Sequence, residues 1–281
     1  LKDERVNSIL ADFCTTLATR YSLPAIGLVD CVVDIRQSEM PSDELASAFG
    51  LDQAALMVAM QVLLDRLRDK GSVTLPPGIR KDDPFFKPAS IGNPCQRTKS
   101  VTEKKGWGYD IWIHPDDRNA TRQTQFDYVR RLLAATGRDS GNAAVRHALG
   151  LFWDWATSKR ILNNNLMPGN YLIDHHRLNF STTSAWYQCH KCRRRSTRRL
   201  SELIAICPSK GCTGELRPID VSVDNEEDQN DNYYRSIFRR SPIAMRVEEH
   251  TAQLNSEVGR EYQEDFIRGK INILSCSTTF E

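Results

Sequence analysis

The sequence predicts a mixed α and β fold in several domains, and three observations carry that reading. Apolar residues recur at helical spacing through the front half, in Ala54-Ala-Leu-Met-Val-Ala-Met60 and in the stripe Phe126, Val129, Leu132 and Leu133. Four cysteines, Cys189, Cys192, Cys207 and Cys212, form two knuckles at metal-ligand spacing. Near the end, two apolar segments flank an amphipathic helix, the pattern of a parallel strand–helix–strand unit. At 281 residues the chain has room for two or three such domains.

The first helical stretch runs from Ser42 to Phe49, turns at Gly50-Leu-Asp52, and continues as a helix from Gln53 to Lys70. Asp52 is placed to cap the second helix, and Gly71 ends it. A strand, Ser72 to Leu75, would then form the wing of a helix-turn-helix. A helix that reads DNA needs polar side chains in its N-terminal half. This one is apolar there, so residues 1–121 are expected to be a winged-helix-like scaffold with a long connection. DNA contact by the wing is the alternative. Residues 76–120 read as that connection, with one strand at Tyr109-Asp-Ile-Trp-Ile113.

A second helical unit, 122–183, spans about Thr124 to Leu162 and is interrupted near Gly137–Gly141. Leu149, Phe152, Trp153 and Ala156 give its second apolar face, with Trp153 and Trp155 expected in core and rim packing. Asn163-Asn-Asn-Leu-Met-Pro-Gly169 is a turn-rich exit. His175 and His176 lack a second ligand pair at metal spacing and read as ordinary histidines.

Residues 184–220 form the cysteine module. Cys189-His-Lys-Cys192 and Cys207-Pro-Ser-Lys-Gly-Cys212 are separated by fourteen residues. Two such turns complete a tetrahedron of thiolates, the geometry of structural Zn²⁺. The second knuckle is long, and Gly211 can take positive φ to bring Cys212 back. Leu200-Ser-Glu-Leu-Ile-Ala-Ile206 reads as a strand leading into it, as in zinc ribbons. Metal at such a site contributes roughly 10–16 kcal/mol to folding. Disulfides in an exported protein are the alternative reading. Four thiolates leave no open position for catalysis. His190 is a spare ligand, expected exposed.

Five arginines crowd this module: Arg193, Arg194, Arg195, Arg198 and Arg199. They are expected to meet nucleic-acid phosphates, the alternative being a solvated charge run. Trp186 and Tyr187 could stack on bases but more often pack beneath such a ribbon. An acidic linker, 221–241, follows.

In 242–281, Pro242 to Glu248 is an apolar strand, with a turn at Glu249-His250-Thr251. A helix from about Ser256 to Arg268 presents Val258, Tyr262 and Phe266 on one face, closed by Gly269. Ile271-Asn-Ile-Leu-Ser275 is the second strand. The run Ser275-Cys-Ser-Thr-Thr279 then falls beyond its carboxyl end, where open α/β sheets bind ligands.

These segments, Glu248-Glu-His-Thr-Ala-Gln-Leu254, Phe266-Ile-Arg-Gly-Lys-Ile-Asn-Ile-Leu274 and Ser275-Cys-Ser-Thr-Thr-Phe-Glu281, resemble the second RecA-like motor domain of superfamily II helicases. The wording is similar to the bacterial group with a zinc-binding C-terminal region, which includes DISARM phage-defence helicases. The resemblance implies that His250 and Thr251 lie near the nucleic-acid backbone. It also implies that Ser277, Thr278 and Thr279 belong to motif V, with Ser277 at its usual threonine. DNA, the missing RecA-like domains and a defence-system protein are the partners it implies.

The sequence holds no Gly-x-x-x-x-Gly-Lys-Ser/Thr phosphate loop and no Asp-Glu-x-His or Asp-Glu-Ala-Asp box. It stops before the Gly-Val-Asp turn and arginine finger that family members carry. The chain is therefore expected to be a helicase fragment, inactive alone, with ATP and Mg²⁺ bound only by the full-length parent. A non-enzymatic zinc-containing DNA-binding or adaptor protein is the alternative.

The net charge of +2 decides little about partners, because the charges are clustered. The longest apolar run, Ala54 to Met60, is too short to cross a bilayer. The N-terminus shows no signal pattern. Four scattered cysteines (Cys14, Cys31, Cys95 and Cys276) and four clustered ones fit a reduced cytoplasm with one metal site.

Overall fold

The computed structural model describes residues 2–14, 22–80, 83, 97–99, 109–164, 171–182, 185–219, 241, 246–250 and 255–276. It is mixed α and β, with seven helices and several small sheets among the described residues. Two compact units emerge, Leu1–Arg235 and Ser236–Glu281.

The first unit opens with helix α1 (Lys2–Cys14), which sequence reasoning passed over. Leu10, Phe13 and Cys14 are buried along it, a spacing of three and four that gives one helical face. Strand β1 (Asp30–Val33) follows. Helix α2 (Asp43–Phe49) starts where the Ser42 hydroxyl accepts the Leu45 N–H, and helix α3 (Gln53–Asp69) where Asp52 accepts the Ala55 N–H. Both caps satisfy amides that a helix start leaves without partners. The two helices bend by 80° at the turn between them. In α3, Leu56, Ala59, Met60, Leu63, Leu64 and Leu67 are buried almost completely, as its apolar sequence requires.

After α3 no full wing strand forms; Val73 makes a single parallel bridge to Ile173. Strands β2 (Arg97–Lys99) and β3 (Tyr109–Ile111) pair in parallel. A short helix α4 (Asp117–Ala120) leads into α5 (Thr124–Ala135) and α6 (Asn142–Ser158). The break between α5 and α6 falls where the glycines place it. Phe126, Val129, Leu132, Val145, Leu149 and Phe152 join the α3 residues in one apolar core. The two helical segments read separately from sequence thus share a single core. Trp112 and Trp155 are buried in it, and each indole N–H reaches a carbonyl, of Leu149 at 3.1 Å and Glu39 at 2.8 Å.

Strands β4 (Leu162–Asn163) and β5 (Leu172–Ile173) pair antiparallel, and β6 (Leu178–Ser181) pairs antiparallel with β1. The cysteine module is a three-stranded antiparallel sheet in the order β8–β7–β9: β7 is Trp186–Cys189, β8 Arg195–Ser196 and β9 Leu216–Ile219. The strand expected at Leu200–Ile206 does not form. Ile206 makes one bridge to Glu215, and Leu203 is 96% exposed, so the segment lacks the partner an alternating strand would need.

In the second unit, β10 (Val247–His250), α7 (Ser256–Ile267) and β11 (Ile273–Cys276) form the expected parallel strand–helix–strand. Asn255 caps the helix through the Glu257 N–H. The strands reach further than the sequence suggested. Glu249 and His250, expected in a turn, pair with Ser275 and Cys276. Pro242 to Met245 and the acidic linker lie outside the described residues, apart from Ser241. No single helix among the described residues is long and apolar enough to cross a membrane.

Candidate metal centre

Cys189 ends β7, and a tight turn brings Cys192 back beside it. The turn is closed by Cys189 N–H to Arg194 O at 2.9 Å and Arg193 N–H to Cys189 O at 3.0 Å. Arg193 carries the turn with φ of 60°. The second knuckle is closed by Cys207 N–H to Gly214 O and Cys212 N–H to Ser209 O, both 3.2 Å. Gly211 has φ of 65°, the left-handed conformation its place in the longer knuckle demands.

The four sulfurs lie within 4.8 Å of one another. Cys189 Sγ is 3.6 Å from Cys212 Sγ, and Cys192 Sγ is 3.5 Å from Cys207 Sγ. These separations are too long for disulfides, whose sulfurs stand about 2.05 Å apart. They match the edge of a thiolate tetrahedron, about 3.8 Å for metal–sulfur bonds of about 2.3 Å. Backbone amides support two of the sulfurs: Ser209 N–H to Cys207 Sγ at 3.5 Å and Gly214 N–H to Cys212 Sγ at 3.4 Å. Gly214 is a steric necessity, since an added Cβ would lie 2.5 Å from Cys189 Sγ. The four cysteines can hold a metal ion.

Burial raises the Cys212 thiol and pushes Cys207 up to about 12. For Cys192 burial also opposes ionisation, but the Arg194 amide, Ser209 and the neighbouring thiols overcome it and bring the group down to about 7. Cys192 is thus the most readily ionised of these three, and it is exposed. A divalent ion would supply the charge that favours thiolates at the buried positions. His190, at the surface as expected, accepts the Glu215 N–H on Nδ1 at 3.1 Å and is no part of the sulfur cluster.

The arginines expected to meet phosphates divide. Arg195 and Arg198 are buried, and for them the expectation is corrected. Arg195 donates to Ile26 O at 2.7 Å. Arg198 donates to Asp30 Oδ2 at 2.8 Å, Asp65 Oδ2 at 2.9 Å and Cys31 O at 2.9 Å. Arg199 is nearly enclosed, pairs with Glu202 and lies 5.2 Å from the Tyr187 ring centroid. Arg194 faces Asp69 at 3.7 Å, and Arg193 is exposed. Lys191, Lys210 and Arg217 are exposed too. Trp186 is buried, so it packs rather than offering a stacking face.

The other side of the module meets the helices. Arg66 of α3 donates to Pro208 O at 2.7 Å. From α5, Arg131 Nη1 donates to Cys207 O and Cys212 O, both 2.9 Å, and Nη2 to Ser209 O at 3.0 Å. Sequence reasoning missed these residues. Nothing local marks Arg131 as a contact of the module, whose carbonyls lie 76 to 81 residues away in the chain.

Of the remaining candidates, His250 is described only through its backbone, and Thr251, Ser277, Thr278 and Thr279 lie outside the described residues. One further cluster appears: Asp174, His175 and His176 bring their ligand atoms within 4.8 Å. Two of the three groups already have protein partners: Asp174 Oδ1 accepts the backbone N–H of His176, and His175 Nδ1 lies 2.8 Å from Thr74 Oγ1. Comparisons with protein families, curated proteins and solved structures find no match for this chain.

Proposed function

We propose that this chain is a nucleic-acid-handling region of an ATP-dependent superfamily II helicase or translocase, stiffened by structural zinc at Cys189, Cys192, Cys207 and Cys212. The observation that carries the reading is the register of the parallel pair, in which His250 stands opposite Cys276. The two described strand ends, His250 and Cys276, therefore stand at the same carboxyl edge. Open α/β sheets bind their ligands along that edge. The resemblance assigns nucleic-acid contact to the His-Thr and Ser-Thr segments that include or follow these strand ends in sequence. Zinc fits the sulfur geometry, and four thiolates fill its coordination sphere, which suits a structural ion. The α2–α3 pair serves as a winged-helix-like scaffold, and phage defence is the setting the resemblance implies.

The test is binding of fluorescein-labelled single-stranded and duplex oligonucleotides, DNA and RNA, by anisotropy at low salt. The paired variant His250→Ala, Thr251→Ala should weaken binding, as should Thr278→Ala, Thr279→Ala. No binding of any oligonucleotide would sink the reading. ATP turnover is not expected from a sequence without a phosphate loop.

A second reading, a non-enzymatic zinc-containing DNA-binding or adaptor protein, is favoured by the exposed cations Lys191, Arg193, Lys210 and Arg217 of the cysteine module. It is preferred if changing those residues abolishes binding while the sheet-edge variants leave it intact.

A further inference from the structure

The second knuckle is held from outside by one side chain with all parts of its fork engaged. Arg131 Nη1 bridges the carbonyls of Cys207 and Cys212, two of the residues whose sulfurs form the cluster. Its Nη2 takes Ser209 O between them in the chain. Asp127, one turn earlier on α5, fixes the guanidinium through Nε at 3.1 Å. The same carboxylate oxygen, Oδ2, accepts the Gly211 N–H at 2.9 Å. Three carbonyls and one amide of a six-residue loop are thus set by two side chains of one helix. Four thiolates around a divalent ion also leave the centre net negative, and Arg131 and Arg66 bring positive charge to its backbone.

We infer that Asp127 and Arg131 are positioning residues of the metal centre, so that metal occupancy and the packing of α5 form one thermodynamic unit. The inference rests on the metal part of the proposed function and on nothing about nucleic acid. Outer partners that orient metal ligands are worth 10–100-fold in affinity elsewhere. Lysine cannot replace the fork, because an ammonium has no planar set of donors to span three carbonyls.

The experiment uses the full chain and Zn²⁺ alone, with affinity and release rate followed by competition with a chromophoric chelator. Arg131→Ala, Arg131→Lys and Asp127→Asn are expected to weaken Zn²⁺ binding or speed its release by about 10–100-fold. The rise in unfolding temperature that Zn²⁺ gives the wild type should shrink in each variant. A purely structural staple would instead lower that temperature equally with and without metal. Zn²⁺ affinity within twofold of wild type in the folded variants overturns the inference. If Arg131→Ala does not fold, Arg131→Lys and Asp127→Asn decide it. A wild-type chain that takes up no Zn²⁺ removes the metal reading itself, and this inference with it.

Discussion

Arg198 Nε lies 2.9 Å from Asp65 Oδ2, joining the segment after the first cysteine knuckle to helix α3. The same guanidinium reaches Asp30 on β1, and Arg68 stands 3.1 Å from Asp65 on the other side. Burial alone would raise the Asp65 carboxyl, yet Arg198 and Arg68 hold it below the usual carboxylate range. A residue that reads in sequence as a phosphate contact is instead a cross-link within the unit.

Arg198→Ala should therefore cost about 3–5 kcal/mol of stability, because it takes from a buried network the guanidinium that Asp30 and Asp65 share, leaving two carboxylates with less compensating charge. Chemical denaturation measures it. Asp65→Asn with Arg198→Ala should cost less than the two single changes added together, since both remove the same Arg198–Asp65 interaction. A loss below ~1 kcal/mol for Arg198→Ala would show that the pair is solvated in solution.

Gly214→Ala should empty the metal centre without touching a ligand. The added methyl would stand 2.5 Å from Cys189 Sγ and 2.9 Å from Lys191 Cβ, inside contact distance. Elemental analysis of wild-type protein should give one ion per chain, and of Gly214→Ala markedly less. Equal metal content in both would mean that the knuckles approach each other less closely than the structure has them.

Removing the metal should also be felt by the helices. An isolated ribbon would unfold alone on chelation and leave the front helices intact. Here Arg66 and Arg131 hold the second knuckle, while Arg195 and Arg198 anchor the segment beyond the first. Addition of a strong chelator should lower the unfolding temperature of the helical signal measured by circular dichroism. An unchanged helical transition would show that the module is only loosely attached.

The pattern of what sequence reasoning reached has a physical cause. Local signals were legible: the Asp52 cap, positive φ at Gly211, the two knuckles, and the parallel strand–helix–strand unit, although in its helix Phe266 is exposed and Gly259 and Asp265 are the buried residues. The fate of the arginines was not, since Asp30 and Ile26 lie 168 and 169 residues from the side chains they bind. A charge run carries no mark of which members a distant carboxylate will draw inward. Strand β1 and its partner β6 were missed for the same reason, each being short with its pairing far off. Helix α1 was the exception, because Val6, Leu10 and Phe13 did carry a local signal.

Acid should weaken the first unit through Glu39. Its carboxylate receives both terminal nitrogens of Arg177, at 2.7 and 2.8 Å, and the Arg36 amide at 2.9 Å. The Arg177 hydrogen bonds outweigh burial and hold the group at about 2, against an ordinary 4.5. A carboxyl whose folded pKa is depressed stabilises the fold fully above its unfolded value. That contribution is lost as pH falls from about 4.5 towards about 2. The shift corresponds to roughly 3 kcal/mol. Glu39→Gln should flatten the stability–pH curve in that window and be most harmful near neutrality. A variant with the same acid profile as wild type would overturn the assignment.

Nucleic-acid affinity, if the proposed function holds, should respond to the surface cations and not to the buried ones. Lys191, Arg193, Lys210 and Arg217 are exposed on the cysteine module, whereas Arg195 and Arg198 are enclosed. Removing one cation that meets a phosphate should lower the slope of log affinity against log salt by about 0.7 for single strands or about 0.9 for duplex. Lys210→Ala with Arg217→Ala should therefore reduce both affinity and slope, uniformly across base sequences, while metal content stays unchanged. Arg198→Ala, compared at a temperature where it remains folded, should leave the slope as it was. If Arg198→Ala alone lowers the slope by that amount, its guanidinium must leave Asp30 and Asp65 to meet phosphate, and the buried cross-link would be one state of a module that opens on binding.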